Sequence, residues 1–200
     1  LSGGEWGMAI LISSANNVVV ENVSVKNSWG DGVYVAGLSR NVRLCGVISD
    51  NNRRQGVSII SADGVVVQDS TFSNTRGTPP QAGVDIEPND GDRVNNVSIV
   101  RSRFLGNAGY GVLVTVPVAY TRAFVSGISV SGNYFHENGL GGVGIYNSSG
   151  NVVQGNVVDD GLVGVFLEKN TSRNLVKNNY IYKGGVVDKG VNVIVENVRE

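Results

Sequence analysis

A glycine followed by alternating apolar residues recurs along the whole chain, and this recurrence constrains the fold more than any other feature. The copies are Gly7-Met8-Ala9-Ile10, Gly32-Val33-Tyr34-Val35, Gly56-Val57-Ser58-Ile59 and Gly83-Val84-Asp85-Ile86. They continue with Gly111-Val112-Leu113-Val114, Gly142-Val143-Gly144-Ile145, Gly164-Val165-Phe166-Leu167 and Gly190-Val191-Asn192-Val193. Their spacings are 25, 24, 27, 28, 31, 22 and 26 residues. The first and third residues after each Gly are apolar in all eight copies, whereas the second is any residue type. Alternation with period two predicts a strand with one buried face and one exposed face. A second element follows the copies, as in Asn17 to Asn22, Asn41 to Gly46, Gly64 to Asp69, Asn151 to Asn156 and Asn174 to Asn179. A third short apolar stretch and an Asn- or Gly-rich turn close each unit. Three short strands in one unit predict one coil of a solenoid. Eight coils spaced by about 4.8 Å would stack to roughly 38 Å.

Composition agrees with an all-β reading. The 200 residues include 37 Val, 28 Gly and 23 Asn. Val fits a pleated surface, and Gly and Asn tolerate the left-handed backbone of tight turns. No segment sustains a 3.6-residue apolar period. The net charge of −1 argues against a nucleic-acid or membrane-surface partner held by a basic face. No apolar run approaches the ~20 residues of a membrane-spanning helix. A single cysteine, Cys45, excludes a disulfide framework and a cysteine-based zinc site. The repeat opens at Leu1 and runs on to Glu200 with no cap, so residues 1–200 are expected to be one domain taken from a longer chain.

The Gly-Val-x-Val/Ile strand, the Asn-Val-x-Ile-like strand and the Asn-rich turns resemble the right-handed parallel β-helix superfamily over essentially the whole chain. That superfamily contains pectate lyases, polygalacturonases, alginate lyases and epimerases, and phage tailspike depolymerases. The resemblance implies a single-stranded parallel β-helix of about eight coils and a polysaccharide partner. It also implies a secreted, extracellular or virion location, and it leaves homo-oligomerisation open. Fold by itself does not give the activity.

The middle of the repeat is irregular, and loops on a rigid scaffold are where chemistry concentrates. The turn from Asn74 to Ala82 is long, with two prolines and Gln81. The turn from Glu87 to Asp92 is acidic and holds Asn89 and Asp90. The longest stretch, Thr115 to Gly127, carries Tyr120 and Arg122. On the intervening strand the core takes Val84 and Ile86, so Asp85 and Glu87 are predicted to point outward together, their Cα atoms about 6.8 Å apart. One coil earlier, Arg53, Arg54 and Gln55 lead into the Gly56 strand. Two coils earlier, Asp31 and Tyr34 flank Gly32, roughly 10 Å away.

Two carboxylates in unlike environments can divide acid and base roles, as glycoside hydrolysis requires. The expectation is polysaccharide cleavage by hydrolysis, with inversion favoured. Asp85 and Glu87 are the acids, and Asp31 and Asp90 are alternative partners. Arg54 and Gln55 are expected to position substrate. Tyr34, Arg53, Gln81, Asn89, Tyr110 and Tyr120 are expected to line the groove. The alternative is lyase or C5-epimerase action on a uronate polymer such as alginate or pectin. Arg54 or Arg53 would then clamp the uronate carboxylate, and Tyr34 or Tyr110 would move a proton.

The resemblance implies two further comparisons. Alginate epimerases and related lyases carry an Asp on this strand with a His two residues on; Asp85 matches the Asp, and Glu87 replaces the His. Some β-helix lyases bind Ca2+ through two carboxylates one residue apart, which Asp85 and Glu87 would match. The pectate lyase and polygalacturonase catalytic signatures are absent. The third class is a structural, adhesive or carbohydrate-binding solenoid without chemistry, disfavoured by the uneven loops. The blander readings are a solvated strand face for Asp85 and Glu87, and surface positions for His136 and Cys45. Most Asn residues are expected to form turns, some stacking in ladders.

Overall fold

In the computed structural model, residues 6–199 are described. The chain winds through 24 short strands that form three parallel sheets of eight, and no helix occurs among the described residues. Within a sheet each strand pairs with the strand three places further along the chain, so each turn of the rod contributes one strand to each sheet. The first sheet contains Ile10–Ser13, Val33–Ala36, Val57–Ile59, Val84–Ile86, Tyr110–Thr115, Gly141–Tyr146, Val165–Leu167 and Val186–Asp188. The expected β-helix of eight coils is the fold observed.

Six of the eight Gly motifs fall in register, from Gly32 to Gly164. The two end copies do not. At the start Ile10 pairs with Val33 and Ile12 with Val35, so Ala9 takes the place of the glycine and Gly7 lies two residues upstream. At the end Val186 pairs with Val165, so Gly185 begins the last strand of the first sheet. The strand after Gly190 belongs instead to the second sheet, where Val193 pairs with Leu175. At the start the slip is two residues, which preserves alternation and hides it from the apolar pattern, whereas at the end Gly190 lies five residues beyond Gly185 and opens a strand of another sheet. Asn151 and Asn174 are likewise one residue away from the position of Asn17 and Asn41, because Val152 pairs with Ser129 and Ser129 follows Ile128. They point inward instead of forming the turn.

The glycine requirement is steric in mid-rod. A Cβ on Gly83 would lie 2.7 Å from the Gly111 carbonyl oxygen and 2.7 Å from the Phe104 ring. Phe72, Phe104 and Phe135 are register partners in the third sheet, fully buried and stacked at centroid distances of 5.4 and 4.8 Å. Each buried ring contributes roughly 1.5–3 kcal/mol through burial. Turn residues at the start of the second-sheet strands, among them Asn17, Asn41, Gly64, Asn96 and Gly127, share left-handed φ values of 53–76°. There Asn41 Nδ2 donates to Asn17 Oδ1 at 3.1 Å.

The expected Asn ladders form inside the turns. Asn107 donates through its backbone N–H and its Nδ2 to Asn138 Oδ1, at 3.3 and 2.8 Å. Asn138 donates in the same way to Asp160 Oδ1, at 2.7 and 3.2 Å. A second ladder runs Asn133, Asn156, Asn179, Asn197, and a third Asn151, Asn174, Asn192. One side chain per coil thus satisfies backbone groups that the turn would otherwise bury unpaired.

Candidate active site

The second residue of each first-sheet copy points away from the core and forms one column along the rod: Leu11, Tyr34, Ser58, Asp85, Leu113, Gly144, Phe166. The ends of this column meet solvent. Its middle does not, and the side chains of Asp31, Arg54 and Gln55 from the preceding turns pack against it. Ser58 and Asp85 are fully buried. The expectation that Asp85 faces solvent beside Glu87 is therefore corrected: Asp85 is 0% exposed, and only Glu87, at the strand end, reaches the surface.

Three successive coils assemble one polar cluster there. Asp31, just before the Gly32 strand, accepts a hydrogen bond from Ser58 Oγ at 2.8 Å and from Arg54 Nη1 at 3.4 Å. Arg54 also pairs with Glu87, its Nη2 lying 3.8 Å from Oε2. Gln55 is fully buried and bridges two groups. Its Nε2 donates to Asp85 Oδ2 at 2.9 Å, and its Oε1 accepts the Ala82 N–H at 2.7 Å. Gln55 therefore positions Asp85 instead of touching substrate, contrary to expectation. Asp31 Oδ1 and Asp85 Oδ1 are buried without a hydrogen-bond partner among the described residues. Ser58 is a member that the sequence did not single out; it occupies the variable position of an ordinary copy.

The electrostatics follow from burial. Burial pushes the Asp31 carboxyl up to about 6, against the opposing pull of Arg54, Ser58 and the Gln55 backbone. Burial, then the negative charge of Glu87, holds Asp85 well above the usual carboxylate range, with Asp31 adding to the rise and Arg54 opposing it. Asp85 is held as the neutral acid, Asp31 is neutral only below about pH 6, and Arg54 and Glu87 are the opposite charges nearest the surface.

A groove of about 270 Å³ opens over the cluster, and it is lined by Tyr34, Arg54, Glu87, Asn89 and Tyr120 together with Trp6, Met8 and Ile60. Tyr34, Asn89 and Tyr120 thus stand where the sequence reading put them, at the groove. Glu87 is the one carboxylate in this lining. The other expected residues are dispersed. Arg53 turns away, stacks on Trp29 at 4.2 Å and donates to Thr78 Oγ1 at 3.1 Å, so it braces the long turn. Asp90 is held by Arg122 through Nη2 at 2.7 Å and Nε at 3.0 Å, which ties the acidic turn to the loop after Thr115. That pairing lowers the Asp90 carboxyl and removes it as an alternative acid. Gln81 and Tyr110 line a separate, apolar cleft.

Calcium does not fit the Asp85 and Glu87 pair. It seeks six to eight oxygens, whereas Asp85 is sealed by Gln55 and the Arg54 guanidinium stands beside Glu87. Among the described residues no group of three or more His, Cys, Asp or Glu side chains is arranged to hold a metal. His136 lies in the third sheet, 3.0 Å from Asp159 Oδ2 and partly solvated. Cys45 is half-buried in the polar column Glu21, Cys45, Gln68 of the second sheet. No helix long and apolar enough to cross a membrane occurs among the described residues.

Comparison with known proteins agrees with this geometry at the level of fold. The family model "right handed beta helix region" matches residues 5–116 and 96–199. Two Bacillus subtilis proteins are similar in sequence. YclG is 33% identical over 138 residues, and the prophage-derived YorA is 27% identical over 99 residues. The matches span 55% and 42% of this chain but only 23% and 17% of those proteins. The alginate lyase of Paenibacillus sp. str. FPU-7 superposes with a TM-score of 0.80 at 12% identity, covering 98% of this chain and 73% of that one. A double mutant of the periplasmic alginate epimerase AlgG superposes at 0.70 with 14% identity, covering 91% and 50%. The Streptococcus pneumoniae surface adhesin PfbA superposes at 0.59 with 15% identity, covering 95% and 64%. Lyase, epimerase and adhesin share one architecture with this protein, and the likeness is one of fold. The coil register, the three parallel sheets and the family match together place the chain in the right-handed β-helix family.

Proposed function

We propose that the groove takes an extended uronate polysaccharide and acts at the sugar C5 position, by β-elimination or epimerisation, in an extracellular or periplasmic setting. The observation that carries this reading is that Glu87 is the one carboxylate in the groove lining. Inverting or retaining hydrolysis needs two carboxyl groups on opposite sides of a sugar. Asp31 and Asp85 are both 0% exposed and cannot supply the second. Hydrolysis by Asp85 and Glu87 is therefore the weaker reading.

C5 chemistry needs a different set. The uronate carboxylate must be neutralised, so that electron density arriving at C5 is tolerated. Arg54 is 16% exposed and held between two carboxyls, which fixes its fork for a bidentate contact. Glu87 is the base that takes the C5 proton. In elimination the C–H electron pair forms the new double bond, and the C4–O bond breaks toward the leaving oxygen. The Tyr34 phenol protonates that oxygen. In epimerisation Glu87 keeps the proton it has taken, and the Tyr34 phenol delivers a different one to the opposite face of C5. Neutral Asp85, joined by Asp31 below about pH 6, limits repulsion of an anionic sugar, since Arg54 and Glu87 then cancel.

The test is a panel of alginates and pectates, followed by ultraviolet absorbance of unsaturated products and by deuterium uptake at C5 from heavy water. Wild type should give one of these signals, and Glu87→Gln and Arg54→Ala should lose it. New reducing ends without absorbance or deuterium uptake would move the assignment to hydrolysis. Binding without any reaction would make this a recognition module.

A further inference from the structure

A second cavity, of about 500 Å³, lies on the same outer face and has a different character from the groove. Its floor is the next residue of the column, Leu113, the register partner of Asp85. Its walls include Pro80, Pro117 and Leu140. Tyr110 and Tyr146 meet at its side, with hydroxyls 2.9 Å apart and rings edge to face at 6.2 Å. Gly144 makes room for this pair, because a Cβ there would stand 2.8 Å from the Tyr110 ring. Phe166 backs Tyr146 at 5.4 Å.

The hydrogen-bonding capacity of this cleft is specific. Two hydroxyl hydrogens serve the phenol pair, and their mutual bond uses one. The second is a donor with no acceptor among the described residues. Burial and the Tyr146 contact raise the Tyr110 phenol, which keeps that hydroxyl protonated. Asn147 in the wall is committed on both sides: its Nδ2 donates to the Val116 carbonyl at 2.8 Å, and its Oδ1 accepts from Asn170 at 3.0 Å. Besides Asn147 and the phenols only Gln81 and Thr115 bring polar side chains to the lining, so a bare sugar ring would set most of its hydroxyls against Leu113, Pro80, Pro117 and Leu140, which is costly. An ester brings an apolar body and one carbonyl acceptor, which is what the lining can satisfy.

The cleft is separate from the groove but lies one coil along from the polar cluster beneath it. Asp85 and Leu113 are one coil apart, about 5 Å. The loop that supplies Tyr120 to the groove supplies Pro117 to the cleft, and the Tyr120 N–H donates to the Pro117 carbonyl at 2.8 Å within it. A glycan lying along the rod axis passes over both.

We propose that this cleft is a binding site for an O-acylated sugar residue, presented by the glycan that occupies the groove. The acyl group packs on Leu113, Pro117 and Leu140, and its carbonyl accepts the free hydroxyl hydrogen of the Tyr110–Tyr146 pair. The proposal rests on the polysaccharide reading for its biological ligand and refines it to a partly esterified polymer.

The experiment has two arms that separate these claims. In the first, saturation-transfer NMR compares a fully O-acetylated methyl glucoside with the unacetylated methyl glucoside, using the intact chain. Transfer to the acetyl methyls of the esterified compound alone is expected. Replacing both phenols, Tyr110→Phe with Tyr146→Phe, should weaken that binding about two- to tenfold, the loss of the one donor that the pair offers. Leu140→Asp, at the 49% exposed rim, should weaken it as well without touching the core. Equal signals from both glucosides, no signal from either, or a signal that neither variant moves would overturn the acyl site. In the second arm, an O-acetylated polyuronate and the same polymer after mild alkaline de-esterification are compared as substrates. A higher kcat/KM for the esterified form is expected, with the ratio reduced when Tyr110 and Tyr146 are both replaced by Phe, and a ratio of one would overturn the proposal. If the first arm succeeds while both polymers are inert, the C5 chemistry of the groove fails and the acyl site stands.

Discussion

Two regions of this rod bury carboxyl groups, and they do so in opposite ways. In the turn ladder, Asp160 sits at the end of the Asn107–Asn138 row and accepts Asn138 donors at 2.7 and 3.2 Å. Under the groove, Asp31 and Asp85 each keep a buried oxygen with no partner among the described residues, and they crowd around Arg54 and Glu87. Burial raises the Asp160 and Asp31 carboxyls alike to about 6. Direction of shift therefore does not distinguish structure from chemistry. Hydrogen-bond completeness does. The ladder is a device for satisfying a turn, and it could be replaced by an isostere. The groove cluster is incomplete by itself, whereas the ladder closes on its own groups.

The sharpest way to break the comparison is to remove one group from each region. Glu87→Gln should lower turnover of a uronate polymer by roughly 10²- to 10⁴-fold, the usual worth of a general base, while the melting temperature stays near wild type. A parallel loss of folding would mean that Glu87 is merely structural. Asn138→Ala should do the reverse. It strands Asn107 and the Phe104 carbonyl, which Asn138 Nδ2 now reaches at 3.0 Å, and should cost about 2–4 kcal/mol of stability in urea titration.

Asp160→Asn sharpens the contrast. A folded-state carboxyl raised from 3.8 to about 6 binds its proton more tightly than the unfolded chain does. Its stabilising contribution is therefore full below about pH 4 and is lost as pH rises through 6. The Asn variant should be more stable than wild type by about 2–3 kcal/mol at pH 7, with the difference shrinking on acidification. The added amide should also reach toward the Phe135 carbonyl, continuing the row in which Asn107 reaches Phe72 and Asn138 reaches Phe104. Equal stability of the two proteins across this pH range would refute the ladder argument.

The matching change under the groove, Asp31→Asn, should act on substrate instead. In wild type, ionisation of Asp31 above about pH 6 adds a negative charge beside Arg54, so KM for a uronate should rise with pH there. The variant should flatten that rise, and an unaltered KM profile would exclude Asp31 from charge control. The smallest effect belongs to Cys45→Ser, in the polar outer column, expected within about 0.5 kcal/mol of wild type by thermal melting.

Much of the architecture was legible in the sequence for a physical reason. Buried strand positions tolerate few residue types, and a parallel solenoid repeats them once per coil. Val84 and Ile86, Val112 and Val114, Val143 and Ile145 could hardly mean anything else. The errors fell at the ends, at Gly7 and Gly190, where a coil has a neighbour on one side only and its pattern is least constrained. The Asn151 and Asn174 misplacement arose because Asn serves two jobs here, turn residue and inward ladder rung, and composition does not separate them.

The site was legible as a neighbourhood and not as an arrangement. Spacing alone brought Asp31, Arg54, Asp85 and Glu87 onto adjacent coils, since chain distance of one repeat means spatial distance of about 5 Å. It could not tell which of them would meet solvent. Alternation assigns a residue to the inner or outer face, and it is silent on whether a loop from another coil covers that face. The burial of Asp85, the bridging role of Gln55, the bracing turn of Arg53 and the entry of Ser58 all depend on how side chains from three successive coils fill one space. Backbone periodicity is a local property written residue by residue, and it fixed the rod. Accessibility and charge coupling belong to the packed assembly, and only the tertiary structure decided them.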